Sequence, residues 1–134
     1  MYSHEIEIRV RYGETDRMGY VYYGNYPEYY EVGRTELLRS LGFTYRELEY
    51  TGILMPIVEM NIQYFRPSFY DDKLTIKSII KEMPRSRVNF DYEIRNQEGI
   101  LLNKGNTVLG FINGETRRPV RPPKVIMDCF KPFF

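Results

Sequence analysis

A chain of 134 residues, 43% hydrophobic and 28% charged, has room for one domain over residues 1–134 and the composition of an ordinary globular protein. Nineteen basic against eighteen acidic residues leave a net charge of +1, so no whole-molecule field draws it to nucleic acid or anionic lipid, and any anionic ligand must meet a local patch. The opening Met1-Tyr2-Ser3-His4-Glu5-Ile6-Glu7 lacks the pattern of a signal peptide and no later stretch has the length of a membrane span, which predicts a cytoplasmic protein.

From His4 to Tyr12, Ile6, Ile8, Val10 and Tyr12 alternate with Glu5, Glu7, Arg9 and Arg11, the period of two of a half-buried strand. Gly13 to Gly19 breaks that period with glycine and short polar residues and is predicted as a loop. A long helix is predicted from close to Tyr26, with Asn25 as its cap, Pro27 in its first turn and Glu28 completing a capping box. Its apolar stripe runs through Tyr26, Tyr30, Gly33, Leu37, Leu38 and Leu41, and Gly42 ends it. A second box, Thr44 to Glu47, opens a short helix that Gly52 closes.

Four strand-like runs follow. The first three carry Val58, Met60, Ile62 and Tyr64, then Leu74, Ile76, Ser78 and Ile80, then Val88, Phe90, Tyr92 and Ile94 on one face each. The fourth spans roughly Leu101 to Ile112, and the Pro/Arg-rich stretch from Arg117 to Lys124 leads to a short C-terminal element. Short turn-like separators between consecutive strands favour an antiparallel sheet, so the fold class is α+β.

Much chemistry is excluded by what is scarce. One cysteine, Cys129, and one histidine, His4, supply neither a disulfide nor a zinc site, and leave no base for a Ser-His or Cys-His mechanism. No phosphate-binding glycine loop, dinucleotide fingerprint or HExxH is present, so neither metal nor organic cofactor is expected. What remains is carboxylate, hydroxyl and backbone chemistry. Thirteen tyrosines and no tryptophan, with Tyr20, Tyr22, Tyr23, Tyr26, Tyr29 and Tyr30 in one short stretch, suit an acyl channel or a subunit interface.

The stretch Tyr12-Gly13-Glu14-Thr15-Asp16-Arg17-Met18-Gly19-Tyr20-Val21-Tyr22-Tyr23-Gly24-Asn25-Tyr26 carries an aspartate in a loop, a glycine three positions on, a hydrophobic stretch, and Asn-Tyr at a helix start. It resembles the opening motif of the 4-hydroxybenzoyl-CoA thioesterase family, which includes the Tol-Pal-associated acyl-CoA thioesterases. Weaker likeness extends through Pro56 to Glu59, Tyr64-Phe65-Arg66-Pro67 and Tyr70-Asp71-Asp72. The resemblance implies a hotdog fold: a sheet of about five antiparallel strands wrapped around one long central helix, working as a homodimer or homotetramer with active sites between subunits.

It further implies hydrolysis of an acyl-CoA thioester, with Asp16 as the catalytic carboxylate and Tyr23 with Gly24 where the carbonyl is polarised. Position 23 is often histidine in that family and is tyrosine here. The chemistry suits a helix start, whose free N–H groups and partial positive charge favour an oxygen turning negative. Asp16 can activate water or attack the carbonyl directly; its bland reading is a turn aspartate.

Asn25 and Tyr26 are expected to contact substrate, with Gly24 letting it approach the backbone. Arg66, Lys81, Arg85 and Arg87 either hold the phosphates of CoA or lie at solvated strand ends. Glu31 with Arg34 reads as an i, i+3 surface or interface pair, with Glu31 a reserve carboxylate. The alternatives to acyl-CoA hydrolysis are an acyl carrier protein thioesterase and a non-catalytic acyl-CoA-binding protein.

Overall fold

The computed structural model describes every residue from Met1 to Phe134. The first alternating run forms β1, Tyr2–Arg9, and pairs antiparallel with β4, Lys73–Ile80. It stops short of the predicted Tyr12 because Val10 turns inward, 1% exposed, and exchanges backbone bonds with Asp71 and Asp72. Tyr12 opens a 3-10 turn, Tyr12–Glu14, and is 78% exposed rather than on the strand's buried face.

The long helix is α1, Tyr26–Ser40. Its cap differs from the expectation. A 3-10 turn, Tyr23–Asn25, runs directly into it, so Asn25 already has helical backbone angles and its side chain caps nothing. The C-terminus is as read: Gly42 sits at φ +86°, its N–H reaches the Arg39 carbonyl, and Phe43 N–H reaches the Leu38 carbonyl. The short helix α2, Tyr45–Tyr50, is capped by the Thr44 hydroxyl, which accepts the Glu47 amide, and Gly52 follows at φ +82°.

The remaining strands are β2, Ile53–Leu54; β3, Ile57–Tyr64; β5, Val88–Arg95; β6, Leu101–Leu109; and β7, Ile112–Asn113; the C-terminal element is helix α3, Lys124–Phe130. The run read as continuous to Ile112 is divided, because the Gly110 amide donates to the Pro56 carbonyl and β7 then pairs with β2. The main sheet has five strands in the order β1-β4-β5-β6-β3, antiparallel at each pairing.

One face of that sheet receives α1. Leu74, Ile76, Ser78 and Ile80 of β4 and Val88, Phe90, Tyr92 and Ile94 of β5 are all buried there, as alternation required. Gly33 lets the helix lie close, since a Cβ there would stand 2.6 Å from Ser78 Oγ. Gly105 does the same for Tyr30, whose ring occupies the space of the missing side chain and stacks on Tyr92 at 4.2 Å and 5°. Leu37 and Leu38 close the core; trimming either to alanine removes about 2–5 kcal/mol.

The cover is lopsided. Alpha1 packs on β1 and β4, whereas Ile57, Met60 and Tyr64, which pair toward the same face on β3, stay 43%, 40% and 48% exposed; Val58, read on that face from alternation, falls in a bulge between Ile57 and Glu59 instead.

Candidate active site

The Asp16 loop is folded back on itself. The Asp16 amide donates to the Tyr20 carbonyl, Thr15 bridges Val21, and Gly19 at φ +86° returns its amide to the Asp16 carbonyl. Val21 N–H then donates to the Ser68 carbonyl, fixing the loop to the β3–β4 connection. Within it, Asp16 Oδ1 accepts the Met18 amide at 2.8 Å, the bond of a turn aspartate. Oδ2 accepts nothing from the protein, so the turn role occupies one oxygen and leaves the other for chemistry.

Beside the loop stands the helix start. The amides of Tyr23 and Gly24 precede the first hydrogen-bonded turn and have no backbone acceptor, the condition for polarising a carbonyl. The side of Gly24 that a Cβ would take is filled by the Tyr22 ring, 2.5 Å from that position at Cε2. Gly24 thus makes room for Tyr22, where the expectation was room for substrate. The neighbouring Tyr23 hydroxyl, and most weakly the Asp16 carboxylate, hold the Tyr22 phenol above its ordinary pKa.

A cavity of about 310 Å³, mostly apolar, is lined by Met18 and Tyr20 of the Asp16 loop, Tyr23 of the helix start, and Tyr26, Tyr64 and Arg66 among others, with Asp16 and Gly24 outside its wall. The Tyr64 hydroxyl donates to the Tyr23 carbonyl and so fixes the cavity wall to the helix start. Tyr26 presents its ring, while its buried hydroxyl is taken by Ser68. Asn25 is used structurally: its Nδ2 donates to the Glu14 carbonyl at 2.8 Å.

The structure therefore gathers Asp16, Tyr23, Gly24, Asn25, Tyr26 and Arg66 at one end of the sheet. Lys81, Arg85 and Arg87 lie at the other, beyond the far end of β4, about 26 Å away along eight extended residues. Lys81 is paired with Asp91 at 3.6 Å, and neither Arg85 nor Arg87 has a carboxylate partner. Arg34 forms no pair with Glu31; it is 6% exposed, its Nε donates to the Tyr45 hydroxyl at 3.1 Å, and its Nη1 has no partner. The sequence reading gave Glu14 no role and placed Tyr22 only among the tyrosines of an acyl channel or interface, not against Gly24. A signal for Glu14 existed, an acidic residue two positions before Asp16, but its worth depends on contacts with a helix that the loop has not yet reached.

An antiparallel five-stranded sheet curled on one helix, with an acidic loop at that helix's start, is a hotdog protein. Known proteins agree. The family model described as Thioesterase-like superfamily matches residues 10–130. The putative acyl-CoA thioesterase YneP of Bacillus subtilis is 36% identical over 128 residues, covering 96% of this chain and 93% of that relative. The acyl-CoA thioester hydrolase YbgC of Escherichia coli is 32% identical over 124 residues, covering 92% of each.

Among solved structures, a DHNA-CoA thioesterase from Staphylococcus aureus superposes with a TM-score of 0.88 at 35% identity, over 100% of this chain and 85% of that one. A mutant 4-hydroxybenzoyl CoA thioesterase, complexed with 4-hydroxybenzoyl CoA, shares the fold at 24% identity with a TM-score of 0.85, over 95% and 97%. Fold and relatives together define a thioester hydrolase of the hotdog class. The chain belongs to the thioesterase-like superfamily.

Proposed function

We propose that this chain hydrolyses acyl-CoA thioesters to the free acid and CoA, with Asp16 as the reacting carboxylate and the Tyr23–Gly24 amides as the polarising group. The observation that carries the reading is the division of Asp16: Oδ1 is anchored on the Met18 amide and Oδ2 is free, in a loop whose Met18 and Tyr20 share an apolar cavity with Tyr23 of the helix start, where the amides are unpaired. The cavity takes the acyl group. The amides take the carbonyl oxygen as it turns negative, and loss of one such donor costs about 3–4 kcal/mol in other hydrolases.

Two routes fit this geometry. As a general base, Asp16 removes a proton from water, the water oxygen adds to the carbonyl carbon, and the C–S bond breaks, with the CoA thiolate taking the proton. As a nucleophile, Oδ2 adds instead, CoA thiolate leaves, and water hydrolyses the resulting anhydride to regenerate the carboxylate. No metal or cofactor enters either route.

The working unit is a homo-oligomer. Ile57, Met60 and Tyr64 lie on the helix-facing side of β3 and stay exposed, and β3 is an edge strand, so a second copy is the natural partner for that face. A second copy is also what could bring Lys81, Arg85 and Arg87, too distant within one chain, to the phosphates of a CoA held at Asp16. No helix is long and apolar enough to cross a membrane, and we assign the enzyme to the cytoplasm, where CoA esters are handled.

Release of free thiol from a panel of acyl-CoA substrates tests the reading, beside Asp16→Asn. A loss of at least about a hundredfold in the variant is expected. Full activity in Asp16→Asn sinks the assignment, and binding of acyl-CoA without turnover of any CoA or carrier-protein thioester makes the chain a binding protein instead.

A further inference from the structure

One acidic side chain outside the proposed chemistry is tied to both halves of the site. Glu14 stands two residues before Asp16, and its side chain is only 13% exposed although it belongs to a surface loop. Its carbonyl accepts the Tyr22 amide at 2.9 Å and Asn25 Nδ2 at 2.8 Å, so one atom holds both flanks of the Tyr23–Gly24 helix start. Its carboxylate accepts the Arg11 amide at 2.7 Å, which fixes it to the end of the first strand region.

The Arg11 guanidinium adds little at 3.5 Å, because that side chain is 81% exposed and screened by water. Tyr29, one turn into α1, carries the phenol on which the Glu14 charge acts. The Tyr29 hydroxyl is buried and makes no hydrogen bond within the chain, and after burial itself the Glu14 charge is the largest cause of its phenol being held well above its ordinary pKa.

We propose that Glu14 is a positioning residue, which locks the Asp16 loop in register with the helix-start amides by anchoring its carboxylate on the Arg11 amide, its carbonyl on Tyr22 and Asn25, and its charge beside the buried, unbonded Tyr29 hydroxyl. It touches neither substrate nor the reacting atoms. It acts by fixing the distance between the carboxylate that attacks or activates water and the donors that receive the oxyanion, a distance to which rate is steeply sensitive. The proposal rests on the reading of Asp16 above.

A double-mutant cycle in the full chain tests it. Glu14→Ala keeps the carbonyl bonds and removes the carboxylate; kcat should fall about tenfold with KM within about twofold, and Glu14→Gln, which retains an acceptor for the Arg11 amide, should recover part of the loss. In an Asp16→Asn background the same Glu14→Ala change should alter the residual rate by less than about twofold, since there is no longer a carboxylate to position. A general structural role would instead lower both backgrounds by the same factor.

If Glu14→Ala does not fold, Tyr29→Phe, which removes a single oxygen, enters the same cycle with an expected loss of about threefold. Unchanged kcat in the Glu14 or Tyr29 variant that folds, or equal losses with and without Asp16, overturns the proposal. Asp16→Asn alone reports on the function itself: full activity there defeats the catalytic reading, whereas a slow Asp16→Asn beside an unaffected Glu14→Ala defeats only the positioning role.

Discussion

Gly24 and Asn25 stand next to each other at the helix start and do different work. A methyl on Gly24 would stand 2.5 Å from the Tyr22 ring, so Gly24→Ala must expel that ring or shift the turn bearing the amides proposed to polarise the carbonyl. We expect Gly24→Ala to lose about 1–3 kcal/mol of stability and more than tenfold in activity, with Tyr22→Ala restoring much of the stability, as thermal melts and thiol release would show. Asn25→Ala removes the bond to the Glu14 carbonyl, and a loss of about 1 kcal/mol is expected by urea denaturation. The loop that carries Asp16 was legible in the sequence, because glycines and short polar residues break the strand period ahead of a helix, whereas the role proposed for Asp16 comes from the family resemblance of the stretch. The uses of Gly24 and Asn25 were not legible, since each depends on what a residue elsewhere in the folded loop leaves vacant or unbonded.

Helix α1 shows the same contrast at the next scale. Its apolar stripe and the Gly42 stop follow from spacing alone, and the alternating faces of β4 and β5 were readable residue by residue. Arg34 was not, because a charge three positions after Glu31 has the look of a solvated pair. Its burial arises only when Tyr45 of α2 and Tyr92 of β5 close over it from two other elements. Removing its one bonded partner strands the guanidinium further, so Tyr45→Phe should cost about 1–3 kcal/mol. Arg34→Met, which removes the buried charge with the need to satisfy it, should cost less than Tyr45→Phe or raise stability. Chemical denaturation of the two variants side by side decides the order.

For the molecule as a whole, the proposed homo-oligomer rests on the exposed face of β3. A charge placed there, as in Met60→Lys, should shift the protein toward monomer in sedimentation and lower activity with it, while a charge on the exposed Glu59 side leaves both unchanged. Sequence pattern showed β3 as a strand but could not show which side would lack a cover, because that depends on where α1 crosses the sheet. Burial also couples the tyrosines to alkaline stability. The Tyr92 phenol is pushed up to about 12 by burial, against an ordinary value of 10.0. Its stabilising share is complete below pH 10, where both states are protonated, and is lost between about pH 10 and 12 as the unfolded chain ionises first. Two pKa units correspond to about 3 kcal/mol, and Tyr92→Phe should flatten the fall in melting temperature over that range. The stacked Tyr30–Tyr92 pair, laid flat over Gly105 in a chain without tryptophan, has an optical consequence as well: two parallel chromophores 4.2 Å apart, one on the helix and one on the sheet, give the fold its own internal dichroic reporter. Near-ultraviolet circular dichroism then follows the docking of helix on sheet in the unlabelled protein, with no dye and no engineered probe.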